Sequence, residues 1–130
     1  MDKHIVKTDN APDPVGPYSQ AVYAGQFVFC SGQIAINPST GEIVNNDIES
    51  ETAQVMDNLK AVLEAAGSSF GSVVKTTIFT RNMGDFVRIN NIYGNYFGEN
   101  PPARATIEVS ALPKDVNVEI ECIALREDNK

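Results

Sequence analysis

Over residues 49–80 apolar side chains at three- and four-residue spacing give way to a β-branched run, and this change constrains the fold more than any other feature of the chain. Ala53, Met56, Leu59, Leu63 and Ala66 recur at helical spacing. Gly67 follows as a helix stop. The next run, SVVKTTIFT (72–80), is β-branched and reads as a strand. A helix that passes so quickly into a strand predicts a helix packed on the sheet it feeds.

The same contrast recurs further on. Asn82 is placed to cap a second helix, with Asp85 in its first turn and Phe86, Ile89, Tyr93, Tyr96 and Phe97 as its apolar face. Strand character is found in HIVKT (4–8), in the two halves of AVYAGQFVFCSGQIAI (21–36) around Gly25, in ARATIEVSAL (103–112) and in VNVEIECIAL (116–125). Gly32 interrupts the second of these halves. TDNAPDPVGPYSQ reads as an irregular loop and NPSTGE (37–42) as a reversal. Pro113-Lys114-Asp115 is the turn between the last two strands, and a simple hairpin there pairs Arg104 with residues near Cys122 to Ala124. The expectation is one α+β domain, residues 1–130, with a mixed sheet and two helices packed on one face. The other face needs cover, and self-association is a physical solution.

Charge and composition then restrict the chemistry. The net charge is −7, which disfavours nucleic acid as a partner. No apolar run approaches the roughly 20 residues of a membrane span, and MDKHIVKTDNAP has no apolar signal core. Cys30 and Cys122 lie far apart in apolar runs and read as reduced core thiols, so a cytoplasmic protein is expected. His4 is the only histidine, and it reads as an exposed strand residue. Histidine-based nucleophilic systems and His-rich metal sites therefore drop out. GQIAINPSTG lacks the lysine and glycine spacing of a phosphate loop. Catalysis would have to come mainly from Arg, Glu, Tyr, Ser, backbone amides and water.

Strand alternation places Arg104, Thr106 and Glu108 on one side and Asn117, Glu119, Glu121 and Ile123 on one side, with Val118, Ile120, Cys122 and Ala124 as core. A basic and an acidic group could thus line one surface of the sheet. Hairpin counting does not pair Arg104 with Glu119. A bulge, a long side chain's reach or a neighbouring subunit would be needed to join them.

Several motifs occur together and in order: GPYSQA at 16–21, CSGQI at 30–34, VVKTTIF at 73–79, Pro102-Ala103-Arg104, and EVSALPKDVNVEIE at 108–121. In these the chain resembles the Rid family of reactive-intermediate deaminases, also called the YjgF or L-PSP family, and its deaminase-type subgroup in particular. The resemblance implies a chorismate-mutase-like fold and a homotrimer with sites in clefts between subunits. It also implies hydrolysis of 2-imino acids, 2-iminobutanoate and 2-iminopropanoate among them, to 2-keto acids and ammonia without a cofactor. Arg104 would bind the substrate carboxylate, a task suited to its planar fork of donors. Glu119 would activate water and shuttle a proton; burial would raise its pKa and Arg104 would lower it. Tyr18 would close over the ligand. Ser31, Gly32 and Asn90 would lie at the site, with Ser31 not a nucleophile because no base stands by to activate it. Thr106 stands where many relatives carry cysteine, and its expected contact is through the backbone amide, which threonine keeps. The readings set against a deaminase are a non-catalytic, small-carboxylate-binding regulatory trimer, an RNA-cleaving translation inhibitor, which the charge disfavours, and a holdase-like chaperone.

Overall fold

The computed structural model describes residues 2–127. The helical window folds as α1 (Ile48–Ala65). Asp47 caps it by accepting a hydrogen bond from the Ser50 N–H at 2.7 Å, so the helix starts slightly earlier than its apolar stripe. Gly67 ends it at a φ of 77°, in the left-handed conformation that glycine adopts without steric cost. Ser68 N–H then reaches the Leu63 carbonyl at 2.8 Å and Gly67 N–H the Glu64 carbonyl at 3.1 Å, which together form a Schellman cap.

Six strands form one sheet: β1 (Lys3–Val6), β2 (Ala21–Ala24), β3 (Phe27–Gln33), β4 (Val73–Thr80), β5 (Ala103–Glu108) and β6 (Val118–Leu125). Their order is β1-β2-β3-β6-β4-β5. All pairings are antiparallel except β4 with β5. That parallel pair needs a crossover, and α2 (Phe86–Tyr93) supplies it. Asn82 does not cap α2 itself. Its side chain accepts from Gly84 N–H at 2.9 Å and starts the 3₁₀ turn Met83–Asp85 that leads into the helix. The two helices and the mixed sheet give the α+β class expected from the sequence.

The last two strands depart from the expected hairpin. β5 and β6 lie on either side of β4 and do not pair with each other. The short link between them passes over the end of β4. Val109 N–H donates to the Thr80 carbonyl at 2.9 Å, and Arg81 N–H donates to the Asn117 carbonyl at 3.1 Å. Lys114 and Asp115 take positive φ, 55° and 61°, to turn the chain there. Counting still placed the rows correctly, because Arg104 and Cys122 both face Thr76, one from each side.

Both helices cover one face of this sheet. Met56, Leu59 and Leu63 are buried as their spacing predicted, with Val55 and Val62 beside them. From the sheet, Val28, Cys30, Ile78, Val118, Ile120, Cys122 and Ala124 complete the core. Cys30 and Cys122 are free thiols directly opposite each other on β3 and β6. The opposite face has no helix. Phe27, Phe29, Ile5 and Ile107 remain 44–59% exposed on it.

Candidate functional site

Arg104 and Glu119 project from opposite faces of the sheet, contrary to the single surface that strand counting allowed. Residues paired across a ladder share a face. Arg104 pairs with Thr76, which is buried under the helices. Glu119 pairs with Phe79, whose neighbours Ile78 and Thr80 are the inward residues. Within one chain the base and the acid therefore lie in two separate places. The apolar parity of β5 explains the misreading: Ala105 and Ile107 of this edge strand face outward, while Arg104 and Thr106 turn toward α2.

The first of these is built on β5 and α2. Arg104 Nη1 donates to Asn90 Oδ1 at 2.7 Å. Its guanidinium carbon lies 5.1 Å from the Tyr93 ring centre and 5.5 Å from that of Phe86. Both distances are within cation–π range. Tyr93 is held in turn by a 2.7 Å hydrogen bond between its hydroxyl and that of Thr76. Burial pushes the Tyr93 pKa upward, ahead of the opposing effects of the Thr76 hydrogen bond and the Arg104 charge, so the phenol stays protonated. Phe86, Asn90 and Tyr93 thus fix the direction of a half-buried cation that makes no ion pair among the described residues. Its remaining donors are available for an anion.

Thr106 lies two residues on. Its hydroxyl is closed off from solvent and has no hydrogen-bond partner. Its backbone amide is placed differently. Since Val109 N–H points to β4, alternation along the strand sends the N–H groups of Ile107 and Ala105 to β4 and those of Thr106 and Arg104 off the free edge. An amide and a guanidinium therefore border the same edge.

The second is a cleft of about 390 Å³, lined by Tyr18, Ser31, Gly32 and Glu119 among others. Glu119 lies against β3 at the irregular stretch between Cys30 and Gln33. A methyl group on Gly32 would stand 2.8 Å from Glu119 Cδ and closer still to Oε2, so only glycine leaves the carboxylate its place. Burial is the main cause that raises the Glu119 pKa, and the Glu121 charge adds to it. The lowering effect of Arg104 is absent within one chain because the two lie on different faces.

The cleft's other wall is the loop of residues 8–18, which Gln20 secures. This side chain is 1% exposed. Its Oε1 accepts from Thr8 N–H at 2.7 Å, and its Nε2 donates to the carbonyls of Thr8 at 3.0 Å, Pro12 at 2.9 Å and Ala11 at 3.4 Å. Tyr18 stands half exposed at the mouth, its hydroxyl accepting from Val15 N–H at 3.3 Å. Ser31 is committed to this wall: its hydroxyl donates to the Ser19 carbonyl at 2.6 Å and its N–H to the Gln20 carbonyl at 3.0 Å. Its amide is therefore not free for a ligand, and the serine serves the wall's architecture.

Sequence reasoning did not single out Gln20, or Phe86 and Tyr93 as partners of Arg104. The second had a signal, since Phe86, Asn90 and Tyr93 recur at four and three residues on one helix face. The first had none, because a lone glutamine does not announce four backbone partners.

The sequence and fold that carry these two sites have known relatives. The family model described as Endoribonuclease L-PSP matches residues 8–126. A RutC family protein of Pyrococcus horikoshii is 55% identical over 125 residues, which is 96% of this chain and 99% of that protein. The 2-iminobutanoate/2-iminopropanoate deaminase of Escherichia coli is 47% identical over 129 residues, covering 97% of this chain and 99% of its own. Among solved structures, one of the conserved Rid protein family from Yersinia pestis superposes with a TM-score of 0.93 at 51% identity, covering 95% of this chain and 99% of that one. The chain belongs to the L-PSP family, the YjgF/RutC/Rid group, which includes imine deaminases.

Proposed function

We propose that the protein hydrolyses small 2-imino acids, 2-iminobutanoate and 2-iminopropanoate in particular, to 2-keto acids and ammonia, in a site completed between copies of the chain. The observation that carries this reading is Arg104: a half-buried, oriented cation with no acid partner among the described residues, whose natural complement is a small carboxylate. The relative named as a deaminase supports the choice of reaction. No helix among the described residues is long and apolar enough to cross a membrane, and work in the cytoplasm accords with two free buried thiols.

Arg104 and the Thr106 amide hold the substrate carboxylate, and Asn90 keeps the guanidinium aimed. Glu119 of a second copy stands at the C=N carbon with a water. That copy's Tyr18, Ser31 and Gly32 wall in the ligand. The assembly is a homotrimer whose contacts cover the exposed apolar sheet face around Phe27, Phe29 and Ile107. The reaction adds water across C=N and expels ammonia, with no co-reactant beyond water. Imines already hydrolyse slowly in water, and each tenfold acceleration requires only about 1.4 kcal/mol, so positioning plus one proton carrier is adequate.

The test generates 2-iminobutanoate in place with threonine dehydratase and traps what remains with semicarbazide. The wild-type protein lowers the trapped imine, whereas Arg104→Ala and Glu119→Gln do not. If the wild type matches buffer for several imino acids, the enzyme reading falls. Keto-acid binding without turnover would then point to a regulatory role.

A further inference from the structure

The cleft contains a second carboxylate that this chemistry has not used. Glu121 follows Glu119 by two residues on β6, so the two share the outer face, and both line the cleft. Such neighbours on one strand stand about 7 Å apart. From β4 they face Thr77 and Phe79, neither of which is charged. From β3 the cleft receives Ser31, Gly32 and Gln33, again uncharged. The N-terminal loop adds Asp13 and Tyr18. Two cations stand nearby: Lys75 shares with Glu121 an adjoining hollow of about 270 Å³, and Lys7 lies 3.6 Å from the Asp13 carboxylate. No ion pair among the described residues includes Glu119 or Glu121. Glu119 and Glu121 therefore stand on one face with no ion-pair partner among the described residues. Arg104, the cation that would arrive from a second copy, comes already paired with the substrate carboxylate.

We propose that Glu121 is a positioning residue whose negative charge keeps a proton on Glu119, so that Glu119 enters the reaction as an acid. This rests on the deaminase reading. The upward push on Glu119 from burial and from Glu121 agrees with it. The Glu119 carboxyl gives its proton to the imine nitrogen. Water adds to the carbon and returns a proton to the Glu119 carboxylate. Glu119 then protonates the amine of the adduct, the C–N bond breaks with its electron pair leaving on ammonia, and the hydroxyl proton of the adduct passes back to Glu119 as the carbonyl forms. Atoms balance with one water consumed, and Glu119 ends as it began.

The test uses the intact assembly and two readouts. The first is the Glu119 carboxyl titration by ¹³C NMR, with the signal assigned by its loss in Glu119→Gln. The second is the pH profile of imine hydrolysis by the trapping assay. In Glu121→Gln the Glu119 midpoint moves to lower pH by roughly half a unit to one unit, and the corresponding limb of the profile moves with it. Glu121→Asp, which keeps the charge, stays near the wild type. A midpoint that is the same in wild type and Glu121→Gln overturns the proposal even if the protein is an active deaminase. A midpoint that moves while the wild type accelerates no imine hydrolysis overturns the deaminase reading, and the catalytic role given to Glu121 falls with it.

Discussion

The two faces of the sheet prepare for a ligand in different ways. On the helix-covered face, Arg104 is locked by a hydrogen bond from one side of α2 and by two aromatic rings, in surroundings that continue the core. On the open face, Glu119 sits in a cleft whose walls are an irregular strand and a loop tied back by Gln20. The clamp borrows its rigidity from packed side chains. The acid borrows its position from backbone geometry, above all from the missing side chain at residue 32. On the proposed reading the group that binds is held directly, and the group that exchanges protons is left room in the cleft.

The largest expected effect tests whether the two halves work together across copies. Arg104→Ala and Glu119→Gln each lower imine hydrolysis about a hundredfold, because the first removes the charged partner of the substrate carboxylate and the second the group that carries protons. Mixed, unfolded and refolded together, they regain activity in about a quarter of the sites of a randomly assembled trimer, where an intact Arg104 meets an intact Glu119. If mixing restores nothing, the halves do not meet between copies.

A smaller effect isolates the acid's wall. Gly32→Ala pushes the Glu119 carboxylate out of its place and lowers kcat about tenfold. The obstructing atoms end a flexible side chain, so the thermal midpoint should change little, and the Arg104 half should still bind 2-ketobutyrate. A large loss of stability in place of kcat would show that the glycine serves the fold and not the acid.

The smallest effect concerns the energetic cost of that acid. The Glu119 pKa is higher in the folded chain than its ordinary value of 4.5, so its charged form is disfavoured by folding. The wild type loses this stability as pH rises through the ordinary value and then the folded one, while Glu119→Gln does not. The variant should therefore melt about a degree or two above the wild type at pH 7 and level with it near pH 4. Equal midpoints at both pH values would mean that Glu119 is not strained in the folded chain.

Helical spacing, the Gly67 stop and the β-branched run after it made the helix–strand succession legible, and the cap at Asp47 refined the helix start only by a residue or two. The path of the last two strands was not legible. A short link with a Pro-Lys-Asp turn resembles a hairpin in sequence, and only the bonds of Val109 and Asn117 to the end of β4 reveal that the chain steps across that strand. The same limit governed the site. Motifs pointed to Arg104, Glu119, Tyr18, Ser31 and Gly32, but alternation says which residues of one strand share a side and not which side the helices cover. For β5, at the sheet's edge, the apolar residues face away from the core and inverted the inference. Gln20 escaped notice because its importance lies in four backbone atoms brought to it by the folded loop.

Placing the anion clamp and the acid on opposite faces of one sheet has a consequence in mass action. On the proposed reading a single chain carries both groups and completes no site, so catalytic capacity would be a property of the assembly rather than of the molecule. Rate per chain would then be constant at high concentration and fall steeply once dilution passes the dissociation constant of the trimer, although every chain remains folded. Expression level would act on such a protein as a threshold, with little activity below it and proportionate activity above.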